Sequence, residues 1–296
     1  MKYWWIQLVY HLSKQIVLIC GLIFSNLTTN FINYYFFQQT KIMTQDFSGR
    51  VAMITGAASG LGRATALLFA ERGAKVVVSD MAIEGGHETV RMIQDRGGKA
   101  TFIACNVAKE EEVINLITKT VEVYGRLDCG INNAGIGGLW TSSHKYPTDN
   151  FEQVMAVNST GVFLCMREEL KVMIQQGSGA IVNVASVAGL SGFPNNVAYS
   201  ASKHAVVGMT KSAGLEYAKK GIRVNAACPV FTITPMVTGM FDVIGDEMKD
   251  KMESAIPMKR FGQPNEVAEA IVWLCSDAAS FITAHALPID GGMMAG

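Results

Sequence analysis

The chain has 296 residues, 25 basic and 25 acidic side chains, and a formal net charge of zero. That length suits one large domain or two small ones, and a 49 % hydrophobic share excludes a disordered chain. Balanced charge argues against a nucleic-acid partner, which normally meets a basic surplus, while a mean hydropathy of +0.23 points to an uneven distribution of apolar residues.

The unevenness begins at the N-terminus. Residues 1–42 contain Lys2, Lys14 and Lys41 but no Asp, Glu or Arg. Their longest clean apolar run, residues 16–24, is shorter than the roughly 20 residues a spanning helix needs. Three readings stand for this apolar extension. Lys14 could close the charged region of a signal peptide, although no A-x-A cleavage site follows. The segment could be a weak anchor lying in a membrane interface. Or it could lie outside the native product, with translation starting at Met43, and this third reading is preferred. N-terminal sequencing of the natural protein separates them. Without residues 1–42 the chain keeps 22 basic and 25 acidic groups, a net charge of −3.

From residue 50 the pattern alternates. Residues 51–55 form a short apolar run bounded by glycine, hence a buried strand. A helical spacing over 61–72 ends at Gly73, and residues 75–79 are a second strand. A helix at 84–95 stops at Gly97-Gly98, followed by strand 100–104, helix 110–124 with Gly125 at its end, and strand 127–131. One long helix is expected over about 149–176, then strand 180–185, helix 197–219, strand 223–227 and a last helix over 264–276. Alternating strands and helices of these lengths build parallel βαβ units. The expected fold is therefore α/β, one domain over 43–296, with a doubly wound parallel sheet covered on both faces. Cys20, Cys105, Cys129, Cys165, Cys228 and Cys275 stand singly, with no zinc-type spacing. They read as reduced thiols of a cytoplasmic protein, and no metal is expected.

The loop after the first strand carries Gly56, Ser59, Gly60, Leu61 and Gly62 in a GxxxGxG spacing that opens a helix. Gly56 permits a tight turn, Gly60 lets a diphosphate approach the backbone, and Gly62 lets helix pack on strand. The helix N-terminus favours the phosphate charge. Asp80 closes the second strand, where a carboxylate can accept from ribose hydroxyls and repel a 2′-phosphate. Met81, rather than a base, follows it, and Ser59 precedes Gly60. These features favour NAD over NADP.

Farther along come Asn132-Asn133-Ala134-Gly135, Asn158, Ser186 and Tyr199-x-x-x-Lys203. Together with the glycine loop, over about residues 46–296, they resemble the short-chain dehydrogenase/reductase family in its compact branch, which implies a Rossmann-like fold. Hydride exchange with an alcohol needs a base for the hydroxyl proton, and a free tyrosine, with a pKa near 10, is a poor one. Lys203 lies one helical turn after Tyr199 on the same face, and its charge would favour the phenolate. Ser186 would hold the substrate oxygen. The resemblance implies that Asn158 kinks its helix and anchors a water that links Lys203 to solvent. It also implies cofactor contacts at Asn106, Val107, Asn133, Ala134, Gly135, Pro229 and Thr234, besides Tyr199 and Lys203, and a homotetramer. The sequence departs from the family pattern at two positions. Val230 stands where glycine is usual, and valine disfavours positive φ. Asn106 stands where Asp is usual near the adenine, and Asn offers both donor and acceptor. Pro288-Ile289-Asp290-Gly291-Gly292 resembles the family's closing strand and tail.

The family's substrate lid falls at about 231–259, with Met236, Met240, Met248, Met252 and Met258. A methionine stripe suits irregular apolar ligands, and it suits lid packing equally. Ile136 and Trp140 are expected to edge the same pocket, with Met236, whereas His144 is expected on a loop surface. Lys249, Lys251 and Lys259 flank the lid. The expected reaction is NAD-dependent oxidation of a neutral, moderately hydrophobic secondary alcohol, cyclic ones included, or the reverse reduction of its ketone. The alternative is an NADPH-dependent reductase of ketones or 3-oxoacyl thioesters. Membrane association is expected only if residues 1–42 are a real anchor.

Overall fold

A computed structural model describes residues 46–295, so the expectations for residues 1–42 lie outside the described residues. Seven strands form one parallel sheet: β1 (Val51–Thr55), β2 (Lys75–Asp80), β3 (Lys99–Ala104), β4 (Cys129–Asn132), β5 (Gly179–Val184), β6 (Ile222–Pro229) and β7 (Ala286–Ile289). Their spatial order is β3-β2-β1-β4-β5-β6-β7. The direction of strand addition reverses between β1 and β4, which pair directly. In a doubly wound sheet that reversal opens a crevice at the carboxyl ends of the two strands.

The apolar runs produce this sheet because both of its faces are covered. Along β1, Ala52 and Ile54 face one core with Phe69, Val76, Val78 and Ile271. Met53 faces the other, with Val77, Leu116, Leu164 and Ile181. The first face is covered by helices α1 (Gly60–Glu71), α2 (Ile83–Gln94) and, from near the chain end, α9 (Pro264–Cys275). The second is covered by α3 (Glu110–Tyr124), α5 (Gly161–Gln176) and part of α6 (Val197–Tyr217). α3 ends as expected at Gly125, whose φ of 79° gives the left-handed turn that glycine adopts without strain.

Three elements differ from the sequence expectation. The long helix over 149–176 is α4 (Thr148–Met155), a five-residue π turn at Ala156–Thr160, and then α5. Asn158 sits in the π turn with its side chain bonded out of the helix, which widens the winding there. β4 starts at Cys129 rather than residue 127, because the Leu127 backbone pairs with the Gln176 side chain instead of a strand. Two lid helices, α7 (Pro235–Ile244) and α8 (Asp246–Ala255), occupy a stretch where no helix was expected. They sit on a small apolar cluster of Val187, Val230, Met252, Ile256 and Phe261.

Cys105, Cys129, Cys165, Cys228 and Cys275 are all free and buried. Among the described residues no group of three or more His, Cys, Asp or Glu could hold a metal ion, and no helix is long and apolar enough to cross a membrane.

Candidate active site

The crevice between β1 and β4 begins at the glycine loop. Gly56 and Gly60 have φ of 65° and 52°, which only glycine holds cheaply. A Cβ on Gly62 would lie 2.1 Å from the Gly56 carbonyl oxygen, so no side chain fits where α1 crosses β1. The loop is stitched to β4. Thr55 Oγ1 accepts from the backbone N–H of Asn133 and Ala134 at 3.0 and 3.1 Å, and Asn133 Nδ2 donates to the Thr55 and Gly56 carbonyls at 2.9 and 3.1 Å. Asn133 thus braces the loop with its side chain, a role its sequence position alone did not suggest.

The N-terminus of α1 carries no acidic residue in its first turn, and the Ser59 hydroxyl makes no capping bond. α3, by contrast, fills its first turn with Glu110, Glu111 and Glu112. The positive end of α1 is therefore left for a ligand's charge. Asp80 lies beside it. One carboxylate oxygen accepts from Ala58 N–H at 2.9 Å and the other from Ala82 N–H at 2.9 Å, so the carboxylate is held rigidly at the cleft wall. Glycines that leave room, free helix N–H groups and a fixed carboxylate fit a dinucleotide.

Tyr199 and Lys203 lie in the first two turns of α6, whose N-cap Asn196 accepts from Tyr199 N–H at 3.3 Å. Asn196 also donates to the Gly137 carbonyl at 2.8 Å, fastening the start of α6 to the loop after β4. Ser186 follows β5, and its hydroxyl accepts from Ala188 N–H at 3.1 Å. Burial pushes the Tyr199 phenol above its ordinary value, and a hydrogen bond with Ser186 pulls it back. Burial also pulls Lys203 down to about 8. Its Nζ donates to the Val184 carbonyl at 2.8 Å and sits 5.5 Å from the Tyr199 ring centre. In the protein alone, burial is the largest influence on the Tyr199 proton affinity. Cys228, behind this group on β6, receives the Ser186 backbone N–H, and burial holds its thiol up at about 11.

Asn158 is fully buried beneath the cleft rather than on its wall. Its Oδ1 accepts from Ile136 N–H at 2.8 Å, and its Nδ2 donates to the Ile136 carbonyl at 2.9 Å and to Ser202 Oγ at 3.2 Å. Ser202 in turn donates to the Tyr199 carbonyl at 2.7 Å. Asn158 therefore ties the loop after β4 to the helix that carries Tyr199.

The far end of the cleft is aromatic. Trp140 and Phe193 meet edge-on with ring centres 5.4 Å apart, and Phe193 lies 5.7 Å from Phe231. The two loops that carry Trp140 and Phe193 are joined by Thr141 N–H to the Asn195 carbonyl at 2.8 Å. Asn195 has φ of 62°, which Asn tolerates better than most residues. Phe193 and Asn196 carried no motif and were not singled out in the sequence. The lid methionines divide by role. Met236 and Met240 line the cavity, Met252 is the buried residue of α8, and Met248 and Met258 are exposed. Val230 does not take a positive φ. It is buried, and its N–H donates to the Ile289 carbonyl at 3.2 Å. Thr234 caps α7 through Val237 N–H. His144 is exposed and off the cavity.

All these walls enclose one cavity of about 980 Å³. Gly56, Ser59, Gly60, Leu61, Gly62, Asp80, Asn106, Val107, Asn133, Ala134 and Gly135 line one end. Ser186, Tyr199, Lys203, Pro229 and Thr234 line the middle, and Ile136, Trp140 and Met236 the other end. Among the described residues that line it, Asp80 and Lys203 are the charged ones.

A family model described as enoyl-(acyl carrier protein) reductase matches residues 56–294. An uncharacterized oxidoreductase of Thermotoga maritima is 45 % identical over 255 residues, covering 84 % of this chain and 99 % of that protein. A 2,5-dichloro-2,5-cyclohexadiene-1,4-diol dehydrogenase of Sphingobium indicum is 43 % identical (84 % and 99 % covered), and a cyclohexanol dehydrogenase of an Acinetobacter species is 41 % identical (85 % and 97 %). Among solved structures, an NADPH complex of actinorhodin polyketide ketoreductase superposes with a TM-score of 0.80 at 37 % identity, covering 82 % of this chain and 97 % of that one. An NAD+-bound xylitol dehydrogenase superposes with 0.79 at 35 % identity, covering 83 % and 99 %. With its glycine loop, its Ser186–Tyr199–Lys203 group and these relatives, the chain belongs to the short-chain dehydrogenase/reductase family of oxidoreductases.

Proposed function

We propose that the chain is an NAD-dependent dehydrogenase of neutral, moderately hydrophobic cyclic secondary alcohols, running in reverse as a ketone reductase. The observation that carries this reading is the cavity itself. It holds an alcohol-handling group at its middle and an apolar, aromatic wall at its far end, where no cation among the described residues waits for a phosphate or carboxylate. A bound nicotinamide would supply the hydride acceptor. The protein's part is to manage the hydroxyl proton. Tyr199 takes the proton on its phenol oxygen, Ser186 holds the substrate oxygen, and the buried Lys203 supplies the positive charge that stabilises the phenolate. The curated relatives named for cyclohexane-type alcohols support a ring as substrate.

NAD is favoured at the other end. Asp80 would face the ribose hydroxyls, and a 2′-phosphate there would meet its charge. Arg63, the basic residue nearest the glycine loop, is occupied by Glu88, Thr89 and the Ala58 carbonyl. The NADPH-bound ketoreductase and the acyl-carrier name of the family model favour the second reading, an NADPH-dependent reductase of ketones or 3-oxoacyl thioesters. A cytoplasmic homotetramer belongs to the same proposal, and exposed Phe163, Ile174 and Phe281 are apolar surface such an assembly could cover.

A panel of cyclic and open-chain secondary alcohols, read by NADH absorbance, tests the function. Turnover of cyclohexanol-type alcohols with NAD is expected. Turnover confined to phosphorylated or acyl-carrier-bound substrates would overturn it, and tighter binding of NADP than of NAD would overturn the cofactor preference.

A further inference from the structure

Beneath the cleft a chain of polar side chains runs through the second core. Gly130 and Asn132 stand two residues apart on β4 and share one of its faces. Glu169 of α5 lies against both. A Cβ on Gly130 would overlap the Glu169 carboxyl, so the glycine leaves the space that the carboxyl fills. Asn132 Nδ2 donates to Glu169 Oε2 at 3.0 Å and to Asn183 Oδ1 of β5 at 2.9 Å. Asn183 Nδ2 donates to Thr210 Oγ1 of α6 at 2.9 Å, and the Thr210 hydroxyl donates to the Val206 carbonyl at 2.8 Å. All four side chains are buried.

The far end sets the direction of the chain. A carbonyl only accepts, so the Thr210 proton goes to Val206 and Thr210 Oγ1 accepts from Asn183. Asn183 then turns its oxygen to Asn132, and both amide hydrogens of Asn132 are used. Its Oδ1 is left as an acceptor. Among the described residues three buried side-chain polar atoms lack a partner, and two of them are Asn132 Oδ1 and Glu169 Oε1, on this one bonded pair. With Glu169 ionised, both atoms are acceptors and neither can serve the other. A proton on Oε1 makes it a donor, and buried polar groups are rarely left unpaired. No cation among the described residues pairs with Glu169. β4 presents Gly130 and Asn132, β5 lies beyond Asn132 with Asn183, and α3, packed on α5, buries Val113, Leu116, Ile117 and Thr120, none of which titrates. The titratable group beside it is Cys165, one turn earlier on α5, whose thiol is held above its ordinary value by burial and then by Glu169. Burial pushes the Glu169 carboxyl up to about 7, against the pull of the Asn132 bond.

We propose that Glu169 is a positioning residue for the cofactor loop: it keeps its proton in the folded protein, closes a two-bond acid–amide pair with Asn132 (Oε1–H to Oδ1, Nδ2–H to Oε2), and so fixes the end of β4. The path from there to the cleft is short. Asn133, the next residue, braces Thr55 and Gly56 of the glycine loop, and Ala134 and Gly135 line the cavity. When Glu169 loses its proton to solvent at higher pH, the pair drops to one bond and a buried charge faces Asn132 Oδ1. The brace then loosens and a dinucleotide binds less tightly, a consequence that rests on the dinucleotide reading above. Glu169→Gln keeps both bonds, its amide NH₂ donating to Asn132 Oδ1 and its oxygen accepting from Nδ2, and has no proton to lose.

The test uses the full chain, wild type and Glu169→Gln, between about pH 5.5 and about pH 8.5, where ordinary carboxyls are already ionised. Difference infrared spectra read the pair directly. The wild type should show the carbonyl band of a protonated carboxyl that fades as pH rises, and the variant should lack it. A wild type without that band carries an ionised Glu169, with a water donating to both orphaned oxygens, and the proposal fails whether or not the variant folds. NADH fluorescence titration reads the positioning role. Because Lys203 also titrates in this window, the wild-type dissociation constant is divided by that of the variant at each pH. A ratio near one at the acid end is expected, rising about threefold or more at the alkaline end, the size of one lost hydrogen bond. A ratio that stays flat while the band fades would overturn the positioning role. Absence of binding by NADH and NADPH alike would sink the dinucleotide reading and that role with it, and the infrared band would still decide the pair.

Discussion

The two ends of the cleft are built from different materials. At the dinucleotide end the wall is backbone: Gly56, Gly60 and Gly62, the N–H groups at the start of α1, and an Asp80 carboxylate pinned by two backbone donors. At the far end the wall is side chain: Trp140, Phe193 and Phe231 in ring contact, with Met236 and Met240 from a lid helix that has no buried residue. A backbone wall permits few residue types and one shape. A side-chain wall can be rebuilt one residue at a time with the scaffold unchanged, which is how one fold serves many substrates.

Substitutions should separate the two ends, with the largest effect where they meet. Tyr199→Phe removes the proton carrier and leaves both walls standing. Turnover is expected to fall about 100-fold or more, with NADH affinity nearly unchanged by fluorescence titration. Residual activity above about 1 % would refute the role of the phenol. Gly62→Ala tests the backbone wall. The added methyl meets the Gly56 carbonyl, so stability should drop by about 1–3 kcal/mol in urea unfolding, and cofactor affinity should weaken with it. A stable variant with full affinity would show that the loop can yield.

Trp140→Ala tests the side-chain wall. Removing one partner of an aromatic pair should raise KM for a cyclic alcohol by about two- to tenfold without changing NADH binding. An unchanged KM across the panel would mean that the substrate does not touch this wall.

The smallest effect lies below both ends. Glu169 of α5 is fully buried, bonded to Asn132 Nδ2 at 3.0 Å, with its other oxygen unpartnered. Burial pushes its carboxyl from an ordinary 4.5 up to about 7. A raised carboxyl favours the protonated folded form, so its stabilising share is complete below about pH 4.5 and is lost as pH rises through about 7. Glu169→Gln should flatten the stability profile over that window in denaturant titrations at stepped pH. A profile that keeps its slope would exclude Glu169 as the source.

Glu169 also shows where sequence reading stops. A glutamate at that position in an amphipathic helix reads as a surface residue. Only the meeting of α5 with β4 places it against Asn132, whose Nδ2 donates also to Asn183 Oδ1 on β5. Asn158 was recognisable from a motif, yet its action through Ile136 and Ser202 depends on a π turn that periodicity reports as plain helix. Phe193 and Asn196 carry no spacing rule at all, since they matter only because two loops distant in sequence are bolted together at the cleft.

The sequence by itself determined the alternation of strands and helices, the parallel sheet, the glycine loop and the Ser186, Tyr199 and Lys203 group. Each rests on local chemistry: apolar period, the space only glycine leaves, and one helical turn between a phenol and an amine. The tertiary structure alone decided the lid helices, the aromatic wall and the buried setting of Lys203. Those depend on which distant segments are brought into contact, and contact between distant segments leaves no periodic trace in the order of residues. The zero net charge of the whole chain belongs to the same division, an average over a basic apolar stretch and a mildly acidic remainder that only position along the chain resolves.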